Sequence, residues 1–169
     1  MNPQRAVVLA ADAHAHGANE ALAMIASLNN LGSVLGAMGD LAGARAHLER
    51  AVRVAEDAFG PGHADVGTCL NNLGSVLQDL GDLAGARASY ERALAIAEGA
   101  YWPTGAGLAS RLSNLGCLLR DQGDLPGARD HLERALVVAE EAFGRGHGDV
   151  ETIRENLSRV VAESEGLSG

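Results

Sequence analysis

Lysine is absent from this chain: all 13 basic residues among 169 are arginine, set against 22 carboxylates for a formal net charge of −9. The absence excludes a Schiff-base lysine, a phosphate-loop lysine and a lysine-rich nucleic-acid surface. An acidic chain with isolated arginines is repelled by phosphate backbones, so nucleic acid is not expected as a partner. Cysteine is scarce too. Cys69 and Cys117 do not fall at equivalent positions of the internal pattern described below, so they form neither a metal pair nor a disulfide framework, and a reduced, cytoplasmic setting is the expectation. Long apolar runs are also missing. Residues 6–11 make a short one that Asp12 breaks, and nothing approaches the ~18 residues needed to cross a bilayer, so neither a signal peptide nor a membrane partner is expected.

What the chain has instead is repetition. The stretch from Leu28 to Leu35 returns unchanged from Leu70 to Leu77, and a third time, altered, from Leu112 to Leu119. The Gly-Asp-Leu triplets at Gly39, Gly81 and Gly123 keep the same step, as do Ala44-Arg45, Ala86-Arg87 and Ala128-Arg129. Aligning residues 28–69 on 70–111 without a gap gives 24 identical positions of 42. A fixed period of this size marks a solenoid, in which each unit stacks on its neighbours because it cannot bury its apolar face alone.

Within one period, Val66, Leu70, Leu73, Gly74, Leu77 and Leu80 recur at helical spacing and predict a helix A with one buried stripe. Gly81 suits a left-handed cap and Asp82 an N-cap. Leu83, Ala86, Tyr90, Ala93, Leu94 and Ala97 then predict a helix B after a tight turn. Gly32, Gly74 and Gly116 sit inside helix A at a cost of about 1 kcal/mol each relative to alanine, which implies a close helix approach there. Ala44, Ala86 and Ala128 are the expected matching surface.

The order Leu70, Leu73, Gly74, Leu77, Gly81, Ala86, Tyr90, Ala93 resembles the tetratricopeptide repeat. The 42-residue length and the linker Phe59-Gly60-Pro61-Gly62-His63 resemble more specifically the kinesin-light-chain type, which also occurs in bacterial NB-ARC and related signalling ATPases. The resemblance implies an all-α, right-handed α-solenoid of antiparallel helix pairs, here a single domain over 1–169. Its units are 28–69, 70–111 and 112–153, preceded by a degenerate N-terminal segment over 1–27 and closed by a capping helix and tail over 149–169. Residues 5–16 look like a degenerate helix B, for eight helices in all. Arg154 stands where the fourth helix A would carry a core leucine, as suits a polar cap.

Residues that could carry chemistry mostly recur at every period, as structural residues do. His63 and His147 lie two units apart and cannot share an ion; His47 and His131 read as surface residues, and His14 and His16 point to different sides of a helix. Cys117 replaces Ser33 and Ser75 and reads as a half-buried thiol. The Arg45/Glu49, Arg87/Glu91 and Arg129/Glu133 pairs read as a solvated face. No catalytic residue, metal site or cofactor is expected.

The side of helix A opposite its core is unusual for a solvated face, because it carries asparagine, serine and threonine in place of glutamate and arginine. The resemblance implies that this side lines a concave groove, with Asn30, Asn72, Asn114 and Asn156 as a ladder beside Asn29, Asn71 and Ser75. An amide can donate and accept at once, which suits the backbone of an extended peptide. The alternative is that the asparagines only bridge helix A to neighbouring turns. Arg120 and Arg159 lie towards the groove near its C-terminal end, and Tyr101 and Trp102 form an aromatic anchor candidate in a linker. The expected function is therefore a protein-interaction module for an extended or helical segment, as scaffold or sensor in a signalling assembly. A fragment of a multidomain ATPase and an array that self-associates through its open ends stay as alternatives.

Overall fold

The computed structural model describes residues 3–99 and 105–166, with side chains from residue 16 onward. Seven helices follow one another among the described residues: α1 (Pro3–Ala37), α2 (Leu41–Phe59), α3 (Ala64–Asp79), α4 (Leu83–Gly99), α5 (Gly105–Asp121), α6 (Leu125–Phe143) and α7 (Gly148–Ser164). They pair as α1 with α2, α3 with α4 and α5 with α6, and α7 closes the stack on α6. The eighth helix is not formed. Residues 5–16 run straight into the first helix A, giving a single 35-residue helix. The described turns elsewhere each hold a glycine in the left-handed region, and Gly17, the one glycine near that junction, stays helical.

Each A-to-B turn is built the same way. Gly81 has φ 79°; its N–H donates to Gln78 O at 2.9 Å and the Asp82 N–H to Leu77 O at 2.9 Å, which ends α3 in a Schellman motif. The Asp82 carboxylate then accepts from Gly85 N–H at 2.9 Å and starts α4. Asp40 and Asp124 do the same for α2 and α6. The B-to-A linkers use His63 and His147 as N-caps, each ring Nδ1 accepting from the backbone N–H two residues on at 3.3 Å; His63 packs tilted against Phe59 with ring centroids 4.6 Å apart, and His147 stacks on Phe143 at 4.5 Å. That capping role accounts for both histidines. Residues 100–104, and with them Tyr101 and Trp102, lie outside the described residues.

The core runs through the stack from Ile25 to Val160. Helix-A glycines do mark close approach, but the nearest partner is a large side chain of helix B, and of the alanine row only Ala128 comes near, its carbonyl oxygen 3.2 Å from a Cβ on Gly116. A Cβ on Gly32, Gly74 or Gly116 would lie 2.7, 2.6 or 2.8 Å from Leu48 Cγ, Tyr90 Cε1 or Leu132 Cγ. Each glycine is thus a hole that receives one large side chain from its helix B, while Ala44, Ala86 and Ala128 are buried beside it. Leu80, expected in the stripe, is exposed instead, because it sits at the C-cap where the chain turns away.

Consecutive A helices touch: α1 meets α3, α3 meets α5 and α5 meets α7, whereas α2 and α4, and α4 and α6, stay apart among the described residues. The stack is therefore curved, with the A helices on its inner side. The gap between B helices is spanned by long side chains, Arg92 to Glu56 and Arg134 to Glu98.

Candidate binding groove

The inner surface is set by the register at which each A helix lies on the next. Four side-chain pairs define it, each separated by 43 residues, one repeat plus one: Asn29 with Asn72, Asn71 with Asn114, Thr68 with Arg111 and Gln78 with Asp121. Asn72 Nδ2 donates to Asn29 Oδ1 at 3.3 Å, and Asn114 Nδ2 to Asn71 Oδ1 at 3.0 Å. Asn29 Nδ2 in turn donates to Cys69 Sγ at 3.1 Å. All four asparagines are half-buried. They do bridge, to the adjacent A helix rather than to turns, and each bridge uses one of the two polar groups of the amides involved. Asn30, at the position of Asn72 and Asn114 but on α1, is exposed, and Asn156 on α7 is half-buried.

Two recesses open on this surface. One, of about 210 Å³, lies between α1 and α3 and is lined by Ser33, Gly36, Asn72, Ser75, Val76 and Asp79. The other, of about 230 Å³, lies between α5 and α7 and is lined by Ser110, Ser113, Asn114, Phe143, Asp149 and Thr152. Short polar side chains share both linings with apolar ones, Ala37, Leu48 and Val76 in the first and Ala106, Ala109, Phe143 and Ile153 in the second, and each has one aspartate among its lining residues. Ser75 and Ser110 are exposed, so both recesses face solvent.

The two arginines assigned to the groove differ. Arg120 is bound to Asp121 at 2.8 Å, a hydrogen bond that raises its pKa above the ordinary arginine value, and Asp121 also accepts from Gln78 Nε2 at 2.7 Å. Arg159 is exposed. Burial pushes the Cys117 thiol up, against a smaller downward pull from Arg120 and Arg159, and it likewise pushes Cys69 up, so both remain thiols at neutral pH. His47 and His131 are half-buried, with their rings on the carbonyls of Gly43 and Gly127 at 2.8 Å.

Sequence reasoning missed Gln78, Asp121 and Arg111 as parts of this surface. Arg111 stands where α3 has Cys69; its Nη2 donates to Thr68 Oγ1 at 3.3 Å, its Nε is buried without a partner among the described residues, and burial lowers its pKa. Searching for polar pairs one repeat plus one residue apart would have found all three. Among the described residues no group of three or more histidine, cysteine, aspartate or glutamate side chains is placed to hold a metal ion. No described helix is long and apolar enough to cross a membrane.

Two tetratricopeptide-repeat models match residues 23–99 and 108–149, together well over half of the chain. No curated protein matches it. Among solved structures it is similar to BtubC (BKLC) from P. vanneervenii, with a TM-score of 0.75 and 23% identity over 84% of this chain and 56% of that one. It is also similar to a putative kinesin light chain with nearly identical TPR-like repeats from Podosopora anserina, at TM-score 0.68 and 18% identity over 85% and 68% of the two chains. The apo form of RapI matches at TM-score 0.74 and 17% identity over 85% and 50%. The chain thus spans little more than half the length of BtubC, and these likenesses concern the fold.

Proposed function

The chain belongs to the tetratricopeptide-repeat family, and from that premise we propose that it is a protein-interaction module, without catalysis of its own, whose inner face holds an extended or helical segment of a protein partner. The observation that carries this reading is the pair of solvent-facing recesses in which short donors and acceptors of the A helices stand beside apolar groups. A surface of serine, threonine and amide groups can satisfy a peptide backbone while giving up little side-chain entropy. Ser75, Asn72 and Asn114 line the recesses, and Asn29 and Asn71 hold the last two in place through the bridges. Asn30, Asn156, Arg120 and Arg159 extend the same face towards its two ends. Arg120 is already neutralised by Asp121, and Asp79 and Asp149 edge the recesses, so the reading favours a segment with neutral or basic side chains over an acidic one. Two free cysteines suit the reducing cytoplasm as the place where it acts.

The test is affinity capture from a lysate of the source cell, read by mass spectrometry, with three baits. Ser75→Arg combined with Ser110→Arg fills both recesses from exposed helical positions; Arg87→Ala alters only the outer face. The wild type and Arg87→Ala are expected to retain the same partner and the double variant to lose it. Retention by a folded double variant would sink the groove reading.

A further inference from the structure

The two ends of the stack are chemically unlike. At the C-terminal end of the described stack, α7 exposes Glu151, Glu155, Arg159 and Glu163, a charged surface. At the N-terminal end, residues 21–39 contain no charged side chain at all. Met24, Leu31, Val34 and Met38 lie along one side of this stretch with 45, 44, 55 and 77% of their surface exposed. Exposed apolar groups gathered on one helix face, in a chain whose other end is charged, mark an interaction surface.

The repeat register says what such a face is shaped to meet. One period on, Met24, Leu31 and Val34 become Val66, Leu73 and Val76, which are 0, 8 and 6% exposed because α3 packs back on α2 and α1. A Cβ on Gly36 of α1 would stand 3.8 Å from Val76 Cγ2. Asn30 fits the same pattern: its equivalents Asn72 and Asn114 donate to the preceding A helix, whereas Asn30 is exposed. So α1 carries the apolar and hydrogen-bonding groups of an interior helix, on a side where no described helix packs.

We propose that this face of α1 is the surface through which two copies of the chain pair, α1 against α1, about a two-fold axis. A head-to-tail arrangement would press Glu151, Glu155 and Arg159 of one copy against Leu31 and Val34 of the next and desolvate those charges without partners. Pairing of α1 with itself over residues 21–39 sets uncharged surface on uncharged surface, with Glu20 at the margin, and brings an exposed amide, Asn30, from each side. An interface made of the same patch twice is closed, so assembly stops at two. Of the inner face only Asn30 enters such an interface; the recesses at Ser75 and Ser110 stay open, so the dimer presents two grooves to partners and gains avidity for a partner with two matching segments.

The experiment is sedimentation equilibrium of the full chain with reductant present, from micromolar to near-millimolar concentration. The wild type is expected to approach twice its 17.3 kDa mass and go no further. Leu31→Glu combined with Val34→Glu is expected to stay at the single-chain mass with an unchanged circular dichroism spectrum. Glu155→Arg, at the other end, is expected to pair as the wild type does. Should the double variant fail to fold, Met38→Glu just past the end of α1 gives the same reading. A wild type that stays monomeric throughout, a mass that climbs beyond two copies, a folded variant that still pairs, or loss of pairing in Glu155→Arg would each overturn the proposal.

Discussion

At the scale of single residues, the glycines of helix A do the most specific work. A methyl at Gly74 would stand 2.6 Å from Tyr90 Cε1, and the ring, only 2% exposed, has nowhere to retreat. Gly74→Ala should therefore destabilise by about 1–3 kcal/mol despite its gain of about 1 kcal/mol in helix propensity. Gly17→Ala, where a Cβ meets nothing within 4 Å, should instead stabilise α1, and urea titration of the two variants checks both signs. Opposite shifts are expected. Tyr90 gives a second prediction, because burial pushes its phenol up to about 12. The folded form holds the proton more tightly than the unfolded chain, so its contribution is intact below about pH 10 and is lost as pH rises from about 10 to about 12, by roughly 2–3 kcal/mol. Tyr90→Phe should flatten the alkaline fall in unfolding free energy. The hole at Gly74 was legible in the sequence as a recurring helix-breaker inside a helix. Its occupant was not, since period alone cannot tell whether a neighbour offers a small row or one large side chain.

At the scale of elements, caps and turns were the most legible features, because a left-handed glycine followed by a capping aspartate is a local device that needs no tertiary context. Asp82 serves twice, its N–H closing the end of α3 and its carboxylate opening α4. Asp82→Ala should cost about 1 kcal/mol, and Asp82→Asn much less, as thermal unfolding would show. The same logic explains why residues 5–16 did not become a separate helix. A pattern of apolar residues suggested one, but no linker like Phe59-Gly60-Pro61-Gly62-His63, which carries the chain from α2 to α3, follows it, and without that turn α1 simply continues. The asparagine ladder was legible as a face and not as a network. Its bridges depend on the one-residue offset between successive A helices, which follows from how the stack curves and not from any one helix.

At the scale of the whole molecule, stability is spread over neighbouring contacts, so the ends should behave differently. Removing residues 1–16 leaves the core from Ile25 onward intact and should preserve cooperative unfolding. Ending the chain after Phe143 strips Val150, Ile153 and Val160 from the core and should lower solubility markedly, as a sedimentation assay of the two truncations would show. The solenoid was readable from a 42-residue period alone, whereas the charge-free side of α1 became meaningful only once its equivalents on α3 were seen to be buried.

The central claim is that the inner face, and not the outer, binds the partner. Titrating the captured partner by calorimetry into the wild type, the Ser75→Arg/Ser110→Arg variant and Arg87→Ala tests it most directly. The account predicts a loss of tenfold or more, about 1.4 kcal/mol, for the double variant and no change for Arg87→Ala. Equal affinity across the three folded proteins would contradict it.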